Sequence, residues 1–576
     1  MLRDIAMQRA AETPDKLLYR FVDGNLNEKT LLTYGELDAR ARRIACTLSQ
    51  WTQPGARVIV ALDSDSTFVS CVFGCLYAAR VVVPAPAPRR SDEGRKRVLS
   101  IVRDAAPELV VVTSEQTSQR LRSEAATHNC RIVTSDELLG VDRGTFEPRQ
   151  PASQLAILQY TSGSTADPKG VMLTETALQA NLEAIRVRFG SHADSHGVSW
   201  LPMHHDMGLI GFVLEAVYVG ASATLLSAFD FIQRPARWLQ AISRYRAAVS
   251  GGSAFAYSAC LDRIRDDQLQ GVDLSCWQVA FVGAERVSQA LLRRFEERFA
   301  PFGLAPGTLR ACYGLAEATL MVTCPSQPDL RSWPASDAHD PNAVASCGEC
   351  IADHELICVD AQGQTCDEGV TGEIWVRGPS IAAGYFGRDQ ESAQVFGAYC
   401  AGRGPYLRTG DLGLLRDGQL FVVGRIKDVV IVRARKFAPE DLETSIALSH
   451  PALAACVSVA FSTSNLPDHP AQRAAGHADS EALIVVQELS RRVMRATDRR
   501  ELRECIREQL VNAHGVSPAA IVFVVQGTIP RTTSGKVQRW RCRELFEQGS
   551  LACLDAPQPA LEDREPPLTM RTSGDT

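Results

Sequence analysis

No stretch of this 576-residue chain approaches the uninterrupted apolar length that crosses a bilayer. The opening MLRDIAMQRAAETPDK carries charge throughout and lacks the apolar segment of a secretory signal. Integral membrane association and secretion are therefore not expected. A basic excess is missing too: 61 Lys and Arg stand against 67 Asp and Glu, a net charge of −6. That balance argues against non-specific nucleic-acid binding, which needs a basic face. The run Arg89, Arg90, Arg95, Lys96, Arg97 is broken by Asp92 and Glu93 and reads as a solvated loop and helix start. Cysteine is plentiful, at 17, but paired zinc spacing is absent, because the CGEC of Cys347 and Cys350 has no second half. Single cysteines in apolar settings such as FVSCVFGCLYAA act as small hydrophobes, and reduced thiols in the cytoplasm are expected.

What is present is alternation. RVIVAL (57–62), ELVVVTS (108–114), LAILQY (155–160), AAVSGG (247–252) and WQVAFVGAE (277–285) read as buried strands. LDARARRIACTLSQ and ALLRRFEERFA read as amphipathic helices between them. Strand–helix alternation implies an α/β architecture with mixed, largely parallel sheets, and ligands beyond the carboxyl ends of strands. Near residue 370 the texture changes: TGEIWVRG, GQLFVVG and KDVVIVRA are short strands divided by Gly or Asp turns. The expected layout is an N-terminal domain over 1–424, with a β-rich subdomain at roughly 345–424, and a smaller α+β domain over 425–550. The Pro-rich, polar 551–576 is expected to be a disordered tail.

The stretch QYTSGSTADPKG (159–170) follows a strand directly, where a phosphate loop belongs. Walker A places lysine right after the second glycine, whereas Lys169 precedes Gly170, so a P-loop NTPase is disfavoured. The hydroxyls of Thr161, Ser162, Ser164 and Thr165, with backbone N–H groups freed by Gly163, could wrap phosphate oxygens with Lys169 as counter-charge. A plain Ser/Gly surface turn fits the same residues equally well.

This loop resembles the A3 motif of the adenylate-forming superfamily of acyl-CoA synthetases, luciferases and adenylation domains, and further motifs follow in family order. SWLPMHHDMGLIG (199–211) is similar to A4, GAERV (283–287) to the adenine turn, and YGLAEAT (313–319) to A5. YLRTGDLG (406–413) resembles A7, GRIKDVVIVRARKFAPEDLE (424–443) A8, and PRTTSGKVQR (530–539) A10. Within the superfamily, LQYTSGST, WLPMHHDMGLIG, FGCLYAARVVVPAPAPRR and YGLAEATL resemble fatty acyl-AMP ligases. The resemblance implies a large N-terminal adenylation domain and a mobile C-terminal one. It also implies the reaction: fatty acid plus ATP, with Mg²⁺, gives acyl-AMP and pyrophosphate. The acyl group then passes to the phosphopantetheine thiol of an acyl carrier protein, supplied in trans because no carrier domain is appended.

The same resemblance implies residue roles. Lys536 would bridge the carboxylate and the α-phosphate, and Glu317 would hold Mg²⁺, with Thr165 helping at phosphate or metal. Tyr313, beside Gly314, would stack on adenine, whose edge would meet the backbone of Gly283, Ala284 and Glu285. Asp411 would accept the ribose hydroxyls, with Arg425 as a second ribose contact. His205 would border the carboxylate pocket. Asp206, an amine-binding position in amino-acid adenylation domains, is followed by MGLIG, as in the fatty-acid branch. Gly251, Gly252 and Ser253 would let an acyl tail pass, and Lys427 would be the interdomain hinge. Each has a plainer reading, from a surface lysine at 536 to a packed core tyrosine at 313.

Three departures stand out. MVTCPSQPDLRSWPASDAHDPNAVAS (321–346) occupies the place of the family's insertion that impedes the CoA reaction, but is short for it. Ala434 stands where glycine is usual after IVR, and LDSDSTF lacks the family's Pro–Gly wording. An acyl-CoA synthetase is therefore the nearest alternative. A non-catalytic scaffold or an amino-acid adenylating enzyme is further off, since Lys536, Glu317 and Asp411 are all intact.

Overall fold

The computed structural model describes residues 1–88, 92–124, 130–140, 146, 154–160, 168–327, 331–334, 343–432, 435–454, 456–463, 482–532 and 535–554. Two sheets of similar build dominate the first part. One runs in the order Arg131–Thr134, Leu109–Val112, Arg57–Leu62, Val81–Pro86, Leu155–Tyr160, Gly170–Thr174. Its strands are parallel except for the last pair. The other runs Leu309–Ala311, Val279–Gly283, Val249–Ser253, His196–Ser199, Ser222–Leu225, Leu17–Val22, Glu28–Thr33, and again only the last pair is antiparallel. Runs such as RVIVAL and LVVV are wholly or almost wholly buried, which is why their strands carry apolar residues on both faces. The helix Tyr34–Trp51 starts at a capping box, in which Thr33 and Glu36 satisfy each other's backbone N–H groups.

A third, antiparallel sheet joins Glu355–Val359, Gly372–Arg377, Arg403–Arg416, Ala398–Cys400 and Gln419–Arg425. Its wall of alternating residues matches the β-rich texture of the sequence there. Later in the chain Ser458–Thr463, Ala482–Leu489 and Ala520–Val525 form a three-stranded sheet. The helices Pro439–Leu448, Arg499–His514 and Arg539–Glu547 accompany it. In this α+β unit Arg539 is clamped by Glu440 and Glu443.

By internal contacts the chain forms two units: Met1–Val429 with Arg531–Val537, and Val430–Pro530 with Gln538–Thr576. The segment carrying Lys536 thus belongs with the first unit, an exchange that a contiguous 425–550 domain does not contain. The expected disordered tail is corrected at its start. Leu551 is buried, Cys553 bridges to Val524, and the Leu554 N–H donates to the Phe523 carbonyl at 2.8 Å. The tail beyond residue 554, Arg89, Arg90 and Ala434 lie outside the described residues.

The second parallel sheet is backed by an aromatic cluster centred on Trp238. Its ring meets Tyr257 and Trp277 edge-on at 5.3 and 5.4 Å, and its Nε1–H donates to Ser250 Oγ at 2.8 Å. Ser250 in turn donates to the Val198 carbonyl, so the indole nitrogen is satisfied inside the core. Trp238→Ala removes this filler and is expected to cost the first unit about 3–5 kcal/mol. Calorimetry should show one transition falling by several degrees while the transition of the second unit stays in place.

Candidate active site

The site is assembled where strands end. Ser253 and Gly283 are paired neighbours at the carboxyl ends of parallel strands, and Tyr313 follows the next strand, Leu309–Ala311. This is the crevice position expected for an α/β sheet. Just past Gly283, Ala284 adopts a left-handed conformation with φ +69°, unusual for a residue with a side chain. Glu285 then turns back, and its Oε1 accepts the Phe255 N–H at 2.8 Å. In the other sheet the strand Leu155–Tyr160 is tied to the A4-like segment, since Gln159 Nε2 donates to the His204 carbonyl at 2.9 Å. The HDMGLIGFVLEAV stretch continues through a π-helical turn, Leu209–Leu214, of the kind that collects at functional sites.

Glu317 sits on a constrained loop. It lies in the short 3₁₀ turn Ala316–Ala318, followed by Thr319 at φ +71°, ψ −63°, a strained setting for a β-branched residue. Thr319 Oγ1 donates to the Ser380 carbonyl at 2.7 Å, and the Ala382 N–H donates to the Glu317 carbonyl at 2.9 Å, so neighbouring backbone holds the loop. Gly314 is required here, because a Cβ would lie 1.8 Å from the Leu320 carbonyl oxygen.

Asp411 and Arg425 face each other across an antiparallel pair, and Arg425 Nε lies 3.0 Å from Asp411 Oδ1. The other oxygen, Oδ2, accepts the Tyr313 hydroxyl at 2.8 Å. Burial raises the Asp411 pKa and Arg425 opposes the rise, while Asp411 raises that of Arg425.

Lys536 is half-buried. Burial lowers its pKa, and the carboxylates of Asp206 and Glu285 are the main groups that support its charge. Asp206 is raised by burial, with Lys536 pulling it back. Burial, then His204, Lys536 and Arg97, hold His205 well below the ordinary imidazole range, so it is neutral at neutral pH. Lys536 thus senses Asp206, Glu285, Arg425 and Asp411, and His205 senses Lys536, so these groups lie within electrostatic reach of one another. Glu317 is raised by burial and also senses Arg425 and Asp411.

The remaining expected residues have other surroundings in the structure. Lys169 pairs with Glu391 and lies over the ring of Tyr385. The room left by Gly252 is taken by Trp200, which a Cβ would meet at 2.7 Å, and that of Gly251 by Phe281. Lys427 is exposed in the turn Ile426–Asp428. Thr161, Ser162, Gly163, Ser164 and Thr165 lie outside the described residues. Tyr385, Glu391 and Gln159 were not singled out from sequence. The Gly–aromatic pattern of GYFG (384–387) was the only mark on the first of them. Among the described residues no three His, Cys, Asp or Glu side chains converge as a metal cage. The half-buried Glu317 carboxylate fits a hard cation held mainly by phosphate and water oxygens.

A family model for AMP-binding enzymes matches residues 7–386. The medium-chain-fatty-acid–acyl-carrier-protein ligase JamA of Moorena producens is 36% identical, covering 96% of this chain and 95% of its own length. The long-chain-fatty-acid–AMP ligase FadD26 of Mycobacterium marinum is 33% identical, over 95% of this chain and 97% of its own. Among solved structures, one from a study of fatty acyl-adenylate ligases of E. coli and L. pneumophila superposes with a TM-score of 0.82. It is 29% identical and covers 95% of this chain and 97% of that one. The L. pneumophila fatty acyl-adenylate ligase in complex with acyl adenylate and pyrophosphate gives a TM-score of 0.70 at 31% identity, over 94% and 95%.

The charge balance around Lys536 is open to a direct check. With its pKa lowered, Lys536 is expected to become reactive toward an amine-acylating reagent at lower pH than exposed lysines. Asp206→Asn removes a supporting carboxylate and should move that onset to still lower pH, read by peptide mass spectrometry across a pH series.

Proposed function

This chain belongs to the AMP-binding enzyme family, and we propose that it activates a fatty acid with ATP and passes the acyl group to a carrier-protein thiol. The single observation that carries the reading is the Asp411 carboxylate held between the Tyr313 hydroxyl and Arg425, with Lys536 in electrostatic reach of it. Beside it, fatty-acid ligases of the same family match nearly the full length of the chain.

The chemistry asks for two anions to meet. A carboxylate oxygen forms a bond to the α-phosphorus, the bond from that phosphorus to the bridging oxygen breaks, and pyrophosphate leaves. Lys536 supplies positive charge where the two anions approach. Neutral His205 walls the carboxylate end without competing for it. Asp411, with Arg425, offers its remaining lone pairs to the ribose diol, and Tyr313 and the 283–285 turn flank the adenine. Lys169 and the 161–165 hydroxyls take the β- and γ-phosphates. Mg²⁺, when bound at Glu317 with Thr165, would neutralise phosphate charge. In the second half-reaction the phosphopantetheine sulfur bonds to the acyl carbon, AMP departs, and the thiol proton goes to solvent. Lys427, next to the junction between the units, is the hinge of our reading. The reduced-thiol pattern and the need for ATP support a cytoplasmic setting.

Lys536→Ala is expected to lower acyl-adenylate formation by about 10²- to 10³-fold, measured by hydroxamate trapping with ATP and graded fatty acids. Product mass spectrometry then compares holo-carrier protein with free CoA. Acyl-carrier should dominate, and efficient acyl-CoA formation without a carrier would make the chain an acyl-CoA synthetase.

A further inference from the structure

The segment 382–386 is stitched on two sides. The Ala383 N–H donates to the Met172 carbonyl, the Met172 N–H to the Gly384 carbonyl, and the Phe386 N–H to the Gly170 carbonyl, at 2.9, 2.9 and 2.8 Å. These bonds fix it against the strand that follows the phosphate loop. On the other side the Ala382 N–H holds the Glu317 turn at 2.9 Å. Tyr385, buried between them, reaches both. Its hydroxyl donates to Glu317 Oε1 at 2.8 Å, and Lys169 Nζ lies 5.2 Å from its ring centroid. Lys169 also pairs with Glu391 on the helix Asp389–Phe396, and Ser392 Oγ of the same helix accepts the Tyr385 N–H at 2.9 Å. Four side chains therefore run in series: Glu317, Tyr385, Lys169, Glu391.

We propose that Tyr385 is a positioning residue that sets the Glu317 carboxylate and the Lys169 ammonium in fixed relation. In the same arrangement, Glu391 is an internal anion with which the β- and γ-phosphates compete for Lys169. This rests on reading Lys169 as a phosphate counter-charge. An ammonium already paired with a carboxylate attracts a second anion less strongly. Glu391 therefore caps the hold on pyrophosphate and favours its departure. The tyrosine hydroxyl, donating to one oxygen of Glu317, leaves the other oxygen's orientation determined.

The full-length chain decides this by calorimetric binding of ATP and of pyrophosphate, with and without Mg²⁺, beside kcat and KM. Glu391→Gln should bind pyrophosphate about tenfold more tightly, and product inhibition should deepen accordingly. Tyr385→Phe keeps the ring under Lys169 but loses the hydroxyl. Its metal-free ATP affinity should hold, while the gain in ATP affinity on adding Mg²⁺ shrinks about tenfold and kcat falls. Tyr385→Leu should lose both. If it does not fold, the other two variants still decide. Unchanged pyrophosphate affinity in Glu391→Gln overturns the competition, and an unchanged Mg²⁺ response in Tyr385→Phe overturns the positioning role. Lys169→Met separates the proposal from its premise. If this variant leaves pyrophosphate affinity intact, the phosphate role of Lys169 itself falls. If it weakens pyrophosphate while Glu391→Gln changes nothing, only the competition falls.

Discussion

Asp411 lies almost wholly out of water, and a carboxylate so placed is stable only while its oxygens are matched. Tyr313 and Arg425 match them, and both come from elements that had to be brought there by separate strands. Elsewhere in the site the charges are only partly shielded, and they too stand opposite partners. Lys536 stands against Asp206 and Glu285, and Glu317 against Tyr385. Two parallel sheets and one antiparallel sheet are the scaffolding that brings these groups within reach of one another. The site is therefore a mutual arrangement, in which each charged group tunes its neighbours.

Much of the scaffold could be read directly. The β-branched runs at 57–62, 108–114, 155–160, 247–252 and 277–285 appear as strands because buried parallel strands have no polar face to disguise them. Among the motif residues Tyr313, Asp411 and Arg425 meet directly, although they come from separate motifs. Partnerships of long sequence separation were invisible. Glu391 lies 222 positions from Lys169, and Tyr385 lies 68 from Glu317, with no periodicity connecting either pair. Nor could composition show that Trp200 fills the space beside Gly252, because a glycine pair announces room without saying what occupies it. The left-handed Ala284 and strained Thr319 were equally hidden, as neither residue type signals such backbone. The grouping of 531–537 with the first unit follows from contacts made in the folded chain, which chain order does not encode.

The pairing of Asp411 with Arg425 has one more consequence. Between them the hairpin carries a register shift after Leu412, where Leu412 faces Gly424 and Gly413 faces Val422, leaving Val423 as the extra residue. Asp411 and Arg425 are directly opposed in the ladder, so both side chains stand on one side of the sheet, and the extra residue takes up the change of register between them and the turn. The bulge can therefore absorb the loss of one residue from that arm: without Val423 the ladder runs on regularly and Asp411 still faces Arg425. A second loss would find no bulge to take it up, and would carry the guanidinium to the opposite face.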